Sequence, residues 1–197
     1  MTKKILTSSQ SKNFKLIQEN QESKKKYMVR GILQRADTKN QNGRIYPYAI
    51  LKKEVDRYAN IFIKEKRAYG ELDHPDSSIV EAKNASHVVT KVWWEGKDLW
   101  GDIEVLDTPS GDIVKKIIDS GNTLGISSRG LGTEIEMREG TLRVDEDFEL
   151  IAWDFVTNPS VQGAFMRYLQ ESKESAIESK FLYNEINTKI SNILRSL

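Results

Sequence analysis

Apolar and polar positions alternate in short runs along most of the chain, and helical spacing interrupts that alternation in a few places. Tyr27–Leu33 (YMVRGIL) has strand chemistry. Residues 37–44 are dense in turn formers, with Asn42-Gly43 the strongest signal, and Pro47 stands where a helix can begin. Ile50, Leu51, Val55, Tyr58, Ile61 and Phe62 then recur at helical spacing over residues 48–65. Gly70–Ser78 is a polar loop around Pro75. Two strands follow, His87–Trp94 and Leu99–Leu106, joined as a hairpin by Glu95-Gly96-Lys97-Asp98. Ser110 is placed to cap a short helix over Asp112–Asp119, and Gly121 to end it. Leu124–Met137 reads as one strand, or as two broken by its glycines, with Glu139-Gly140 a second hairpin turn. Leu142–Thr157 holds the last strands, closed by Asn158-Pro159. Residues 172–197 contain no Gly or Pro, and Leu182, Ile186, Ile190, Ile193 and Leu197 form one helical stripe.

Many short strands with two or three helices between them predict an α+β fold. Regular strand–helix alternation is absent, so the pattern favours a closed or nearly closed antiparallel β-barrel flanked by helices over a parallel sheet. The length of 197 residues suits one domain with tails. Residues 1–26 carry seven lysines against Glu19 and Glu22 and read as a flexible basic tail, either solvated or a docking or processed segment. Residues 27–171 form the folded domain, and residues 172–197 a C-terminal amphipathic helix that must pack on its own domain or on a partner.

Charge and composition narrow the function. The net charge of +1 gives no strong field for nucleic acid or membrane. No apolar run approaches the roughly 20 residues of a membrane span, and Met1–Gln10 lacks the apolar core of a secretory signal. The expectation is a protein that stays inside the cell. The chain has no cysteine, which excludes disulfides, thiolate metal sites and a cysteine nucleophile. Two histidines, His74 and His87, are too few for a zinc site built on several. No metal or cofactor is expected.

Three features could carry chemistry. His74 lies in a charged loop stiffened by Pro75, with Glu71, Asp73 and Asp76 nearby in sequence; it reads as a surface histidine or as a general base. His87 begins an apolar strand and reads as structural. Gly125–Gly132 (GISSRGLG) brings hydroxyls and exposed backbone N–H groups together, as a nucleophile and its oxyanion donors require; the competing reading is a plain Gly/Ser loop. Strand alternation puts Leu124, Ile126 and Ser128 on one face and Gly125, Ser127 and Arg129 on the other. If the apolar face is core, Ser127 is the accessible serine. Asp154 sits inside the apolar run Leu150–Val156, where a carboxylate is costly unless paired. It is either a structural hydrogen-bonding group or the group that orients His74. The order His…Ser…Asp does not exclude a triad, which geometry defines.

Four motifs occur in order: Asn42-Gly43-Arg44-Ile45-Tyr46-Pro47, Gly70-Glu71-Leu72-Asp73-His74-Pro75, Trp93-Trp94-Glu95-Gly96-Lys97-Asp98 and Gly125–Gly132. Over about Gln34–Pro159 the chain resembles the prohead (capsid-maturation) proteases of T-even-type tailed phages, distant relatives of the herpesvirus assemblins. The resemblance implies a β-barrel flanked by helices and a serine endopeptidase that cuts scaffold and capsid proteins inside the assembling prohead, in the host cytoplasm. It implies His74 as general base and Ser127 as nucleophile; a Ser-x-Gly pattern in more distant relatives would instead select Ser128. Asp154 matches the third member best. Backbone N–H groups at Arg129 and Gly130, or in the Asn158 loop, are oxyanion candidates. Cleavage after Glu in [Leu/Ile]-x-Glu is implied, and two such sites flank the folded part, ending at Glu19 and Glu171. Their position predicts self-processing. A homo-oligomer is implied, with no specific nucleic acid and no membrane. The alternative is a non-catalytic capsid scaffold or assembly protein.

Overall fold

The computed structural model describes residues 26–137 and 140–169. Glu19, Glu139, Glu171, the basic tail up to residue 25 and the stripe over residues 172–197 lie outside the described residues. In chain order the strands are β1 (Tyr27–Arg35), β2 (Arg44–Ile45), β3 (Tyr69–Glu71), β4 (Ala85–Glu95), β5 (Asp98–Val105), β6 (Gly125–Leu131), β7 (Glu134–Glu136), β8 (Leu142–Val144), β9 (Glu149–Val156) and β10 (Arg167–Tyr168). The helices are α1 (Tyr48–Tyr58) and α2 (Pro109–Asp119).

The sequence pattern maps closely onto the larger elements. Pro47 stands immediately before α1, whose buried Leu51, Val55 and Tyr58 recur at helical spacing. Ala59–Ile63 continues the helix as a wider π turn, which accounts for the apolar spacing running on past Tyr58. Buried Glu54 fixes α1 to the start of β9. It accepts from Arg57 Nε at 2.8 Å and from the Leu150 amide at 3.1 Å, and Arg57 Nη2 donates to Leu150 O. The β4–β5 hairpin turns where expected, with Gly96 at φ +61°, a conformation glycine adopts without penalty.

Four expectations need correction. The hydrogen-bonded ladders do not form one closed antiparallel barrel. They form a five-stranded sheet in the order β10-β1-β5-β4-β3, a three-stranded sheet β2-β8-β7 and the pair β6-β9. Only single bridges, Leu72–Phe155 and Gly125–Phe165, join the β6-β9 pair to residues flanking β3 and β10. The pairing of β2 with β8 is parallel. Second, α2 starts at Pro109, and its cap is Thr108, whose side chain accepts from the Gly111 amide; Ser110 lies inside the first turn. Third, Asn158-Pro159 does not close the strands: the chain returns to pair β10 with β1 at Val29–Tyr168 and Arg30–Arg167. A two-residue strand carries no alternation to read. Fourth, Ser127 is not the more exposed serine, as described below.

The core gathers Val29, Leu51, Ile103, Ile126, Trp153 and Phe155, all buried. Trp153 packs edge-on against Tyr58 of α1, with ring centroids 5.0 Å apart. Strand β9 therefore runs with α1 against it at Trp153, with β6 paired along its length and with the end of β3 bridged at Phe155.

Candidate active site

A cavity of about 280 Å³ opens where β2, β6, β7 and the loop after β3 meet. Asn42, Arg44 and Tyr46 come to it from the first motif, His74 and Pro75 from the second, and Ser127–Gly130 and Gly132 from the fourth. The third motif lies elsewhere. Trp94 packs on Tyr48 at the start of α1, with centroids 4.9 Å apart, so that motif builds the fold rather than the site.

Strand register assembles the centre. In the β6–β9 ladder Ser127 stands directly opposite Asp154, and Arg129 opposite Ala152. Opposed residues of an antiparallel pair project to the same face, so Ser127, Asp154 and Arg129 share one side, as alternation along the strand required. The glycines of the fourth motif permit close approach around them. A Cβ on Gly125 would meet the Pro159 ring at 2.5 Å, and one on Gly130 the Phe148 ring at 2.5 Å. The ladder shifts register between Arg129 and Gly130, where β9 carries the extra residue, Ile151.

The second motif delivers His74. Its first residue, Gly70, lies so close to β9 that a Cβ would meet Trp153 O at 2.1 Å and the His87 ring at 2.4 Å. After β3 the chain continues along the end of β9, with Leu72 bridged to Phe155 and the Asp73 amide donating to Phe155 O at 2.8 Å. Asp73 adopts φ +64°, an uncommon conformation for a residue with a Cβ, and turns the chain immediately before His74.

His74 Nδ1 lies 2.8 Å from Asp154 Oδ2. Asp154 is fully buried, whereas the His74 side chain is 39% exposed. Burial by itself would push the Asp154 carboxyl up. Hydrogen bonds from His74, Arg129 and the Glu71 amide outweigh it and hold the group below the usual carboxylate range. An ionised carboxylate only accepts, so His74 Nδ1 carries the proton and Nε2 keeps its lone pair, as a general base requires.

The two serines differ from expectation in exposure. Ser127 is buried, at 6%, and its Oγ lies 3.3 Å from Ser160 Oγ rather than on His74. Ser128 is partly exposed, projects from the opposite face and lies against the Tyr46 phenol. Alternation named the correct face for Ser127. The accessibility inference failed because that face is covered by its own polar cluster. Both serines border the cavity.

Sequence reasoning missed the Arg129 side chain and Ser160, and it placed Glu71 beside His74 without its partner Arg129. Arg129 entered as a backbone donor, yet its guanidinium is paired with Asp154 through Nε at 2.8 Å and with Glu71 through Nη2 at 2.6 Å. The signal was present: a buried Asp needs a cation, and Arg129 is the one cation in β6 and β9. Nothing marked Ser160 beyond its place after Asn158-Pro159. His87 is structural, as read. Its Nε2 donates to Trp153 O at 2.9 Å, and its Nδ1 faces Ser86 Oγ at 2.8 Å. Burial lowers its pKa to about 4.

Relatives are known for this arrangement. Residues 9–175 match the model of a family described as the prohead core protein serine protease. The chain is 37% identical over 141 residues to the prohead core protein protease of Enterobacteria phage T4, across 70% of this chain and 66% of that protein. The solved structure of the bacteriophage T4 capsid assembly protease matches with a TM-score of 0.65 at 35% identity, over 67% of this chain and 82% of that one.

Proposed function

Because the chain belongs to the prohead core protein serine protease family, we propose that it is a serine endopeptidase whose nucleophile is Ser127, whose general base is His74 and whose orienting acid is Asp154. The observation that carries this reading is the 2.8 Å bond between a buried carboxylate and a half-exposed imidazole beside a cavity that both serines border. Substrate enters that cavity. Ser127 Oγ leaves its long contact with Ser160 and attacks the scissile carbonyl, passing its proton to His74 Nε2. His74 then gives that proton to the leaving amine. Water hydrolyses the acyl-enzyme by the same path in reverse. Asp154 stays ionised throughout and stabilises the imidazolium. Backbone amides at Arg129 and Gly130, which border the cavity, are the oxyanion donors of this reading.

The substrates are phage scaffold and capsid proteins, cut after Glu in [Leu/Ile]-x-Glu inside the assembling prohead. Arg44, which borders the cavity and pairs there with Glu134, supports a preference for an acidic side chain. The same activity trims the chain after Glu19 and Glu171, leaving the domain within residues 20–171, and the working enzyme is a homo-oligomer. Mass spectrometry of the protein incubated alone tests the trimming; termini that stay intact while a peptide is cut rule it out.

The nucleophile is tested with paired variants on a peptide ending its acyl side in Leu-x-Glu. Ser127→Ala is expected to lower kcat/KM by about 10³-fold or more, and Ser128→Ala by less than about tenfold. Loss confined to Ser128→Ala moves the nucleophile to Ser128. Activity that survives both changes overturns a nucleophile on β6, and a wild-type chain that cuts no peptide favours a scaffold role.

A further inference from the structure

The loop from Leu72 to Glu81 carries His74, and its side-chain ties gather around one guanidinium. Arg129 Nη1 donates to Ser77 O at 2.6 Å, in the middle of the loop. Arg129 Nη2 donates to Glu71 Oε2 at 2.6 Å, at the loop's entrance, and the other oxygen of Glu71 accepts from the Glu81 amide at 3.1 Å, at its exit. On its remaining side Arg129 holds Asp154, with Nε on Oδ2 at 2.8 Å and Nη2 on Oδ1 at 3.2 Å. The Glu71 amide also donates to Asp154 Oδ1, at 3.0 Å. A single planar group thus holds the entrance and middle of the loop and the carboxylate that His74 must meet, and its partner Glu71 holds the exit.

We propose that the Arg129 side chain is a positioning residue, which clamps the 72–81 loop so that His74 meets Asp154, and that Glu71 is the counter-charge that keeps the clamp centred. The proposal rests on His74 and Asp154 acting as read above. Two features show that the site is built for this. Glu71 and Asp154 side chains are fully buried, and Arg129 is 9% exposed, so each charge depends on the others for stability. The guanidinium also uses its fork in three directions at once, which a lysine ammonium cannot reproduce.

The clamp also sets the charge around the imidazole. Asp154 from β9 touches His74, Arg129 from β6 and Glu71 from β3 stand behind that carboxylate, and Asp73 and Asp76 flank His74 on its own loop. With neutral His74, the buried trio of two carboxylates and one guanidinium carries one net negative charge. Glu71→Gln removes that charge while keeping the shape.

The test uses the full chain with Arg129→Lys, which keeps the charge and loses the fork, and Glu71→Gln, which keeps the shape and loses the charge. In Arg129→Lys, kcat is expected to fall by up to about 10²-fold, the scale of a small misplacement of a catalytic group, with KM within about threefold. In Glu71→Gln, which takes the counter-charge off one arm of the fork, kcat is expected to fall by less than in Arg129→Lys, with KM again within about threefold. The downfield proton resonance of His74 Nδ1 on Asp154 is read by NMR in all three proteins; it needs no activity, and it should weaken in Arg129→Lys. A resonance and a kcat unchanged in folded variants, with only the melting temperature lowered, would reduce Arg129 to a structural residue and overturn the proposal. A wild-type chain that cuts no peptide but shows the resonance, lost in Arg129→Lys, would count against the protease reading and leave the clamp standing.

Discussion

Two histidines bond to consecutive residues of one strand, and they could hardly differ more. His74 reaches the side chain of Asp154 from a loop, with 39% of its own side chain exposed. His87 reaches the backbone carbonyl of Trp153 from inside a sheet, fully buried, with its ring edge-on to Phe155 at 4.5 Å. A carboxylate partner orients one nitrogen of the His74 ring, and solvent at its free edge lets protons pass. A carbonyl partner in an apolar shell leaves burial as the largest influence, and burial keeps the ring neutral down to about pH 4. The same residue type, two neighbouring attachment points and two sets of surroundings separate a proton carrier from a structural pin.

The widest separation should appear in alanine variants. His74→Ala is expected to reduce kcat/KM on a Leu-x-Glu peptide by about 10³-fold or more, with the melting temperature nearly unchanged, because its loop side faces solvent. His87→Ala is expected to cost about 2–4 kcal/mol of stability through a cavity and an unpaired Trp153 carbonyl, while activity per folded molecule stays within about threefold. Steady-state kinetics beside denaturant melts check both. A His87 variant that folds normally but cannot cleave would erase the distinction.

Much of this contrast was readable in advance. His74 sits among Glu71, Asp73 and Asp76 beside a proline, whereas His87 opens an apolar run, and those surroundings already assigned loop and core. The helix α1, the β4–β5 hairpin and the face of Ser127 followed from spacing alone. The rest depended on contacts distant in sequence. The exposure of Ser127 is set by Ser160 and by the polar cluster opposite, neither of which leaves a trace in β6 itself. The Arg129 clamp joins residues separated by 25, 52 and 58 positions. Breaks between the three sheets occur where pairing narrows to one bridge, and no periodicity encodes that.

Acidity should separate the histidines next. His87 has a folded pKa of about 4 against about 6.5 unfolded, so its folded form binds fewer protons between those values. Its contribution is complete above about pH 6.5 and is lost as pH falls towards 4, a decline of about 3 kcal/mol. Asp154 is also shifted down, but its contribution is present above the unfolded carboxylate value near 4 and is lost only below that. The two windows therefore barely overlap. Denaturant melts between pH 7 and 4 should show the decline in the wild type and a flatter profile in His87→Gln. An equal decline in both proteins would assign the loss to other groups.

The smallest effect sharpens the comparison from the His87 side. Thr108 caps α2 through the Gly111 amide and also donates its hydroxyl to Ala85 O at 2.6 Å, at the start of β4. It thereby ties the helix to the residues immediately before Ser86 and His87, while His74 hangs from the opposite end of the β3 connection. Thr108→Ala removes both bonds and is expected to cost about 1 kcal/mol, the usual scale for a lost cap. The cost should appear as faster amide exchange at the start of β4 and in the first turn of α2. It should leave kcat, KM and the pH–rate profile of His74 where they are. If the cap variant lowered kcat without speeding exchange in β4, the two histidines would be coupled through the sheet, and the division between proton carrier and structural pin would have to be redrawn around β9 as a whole.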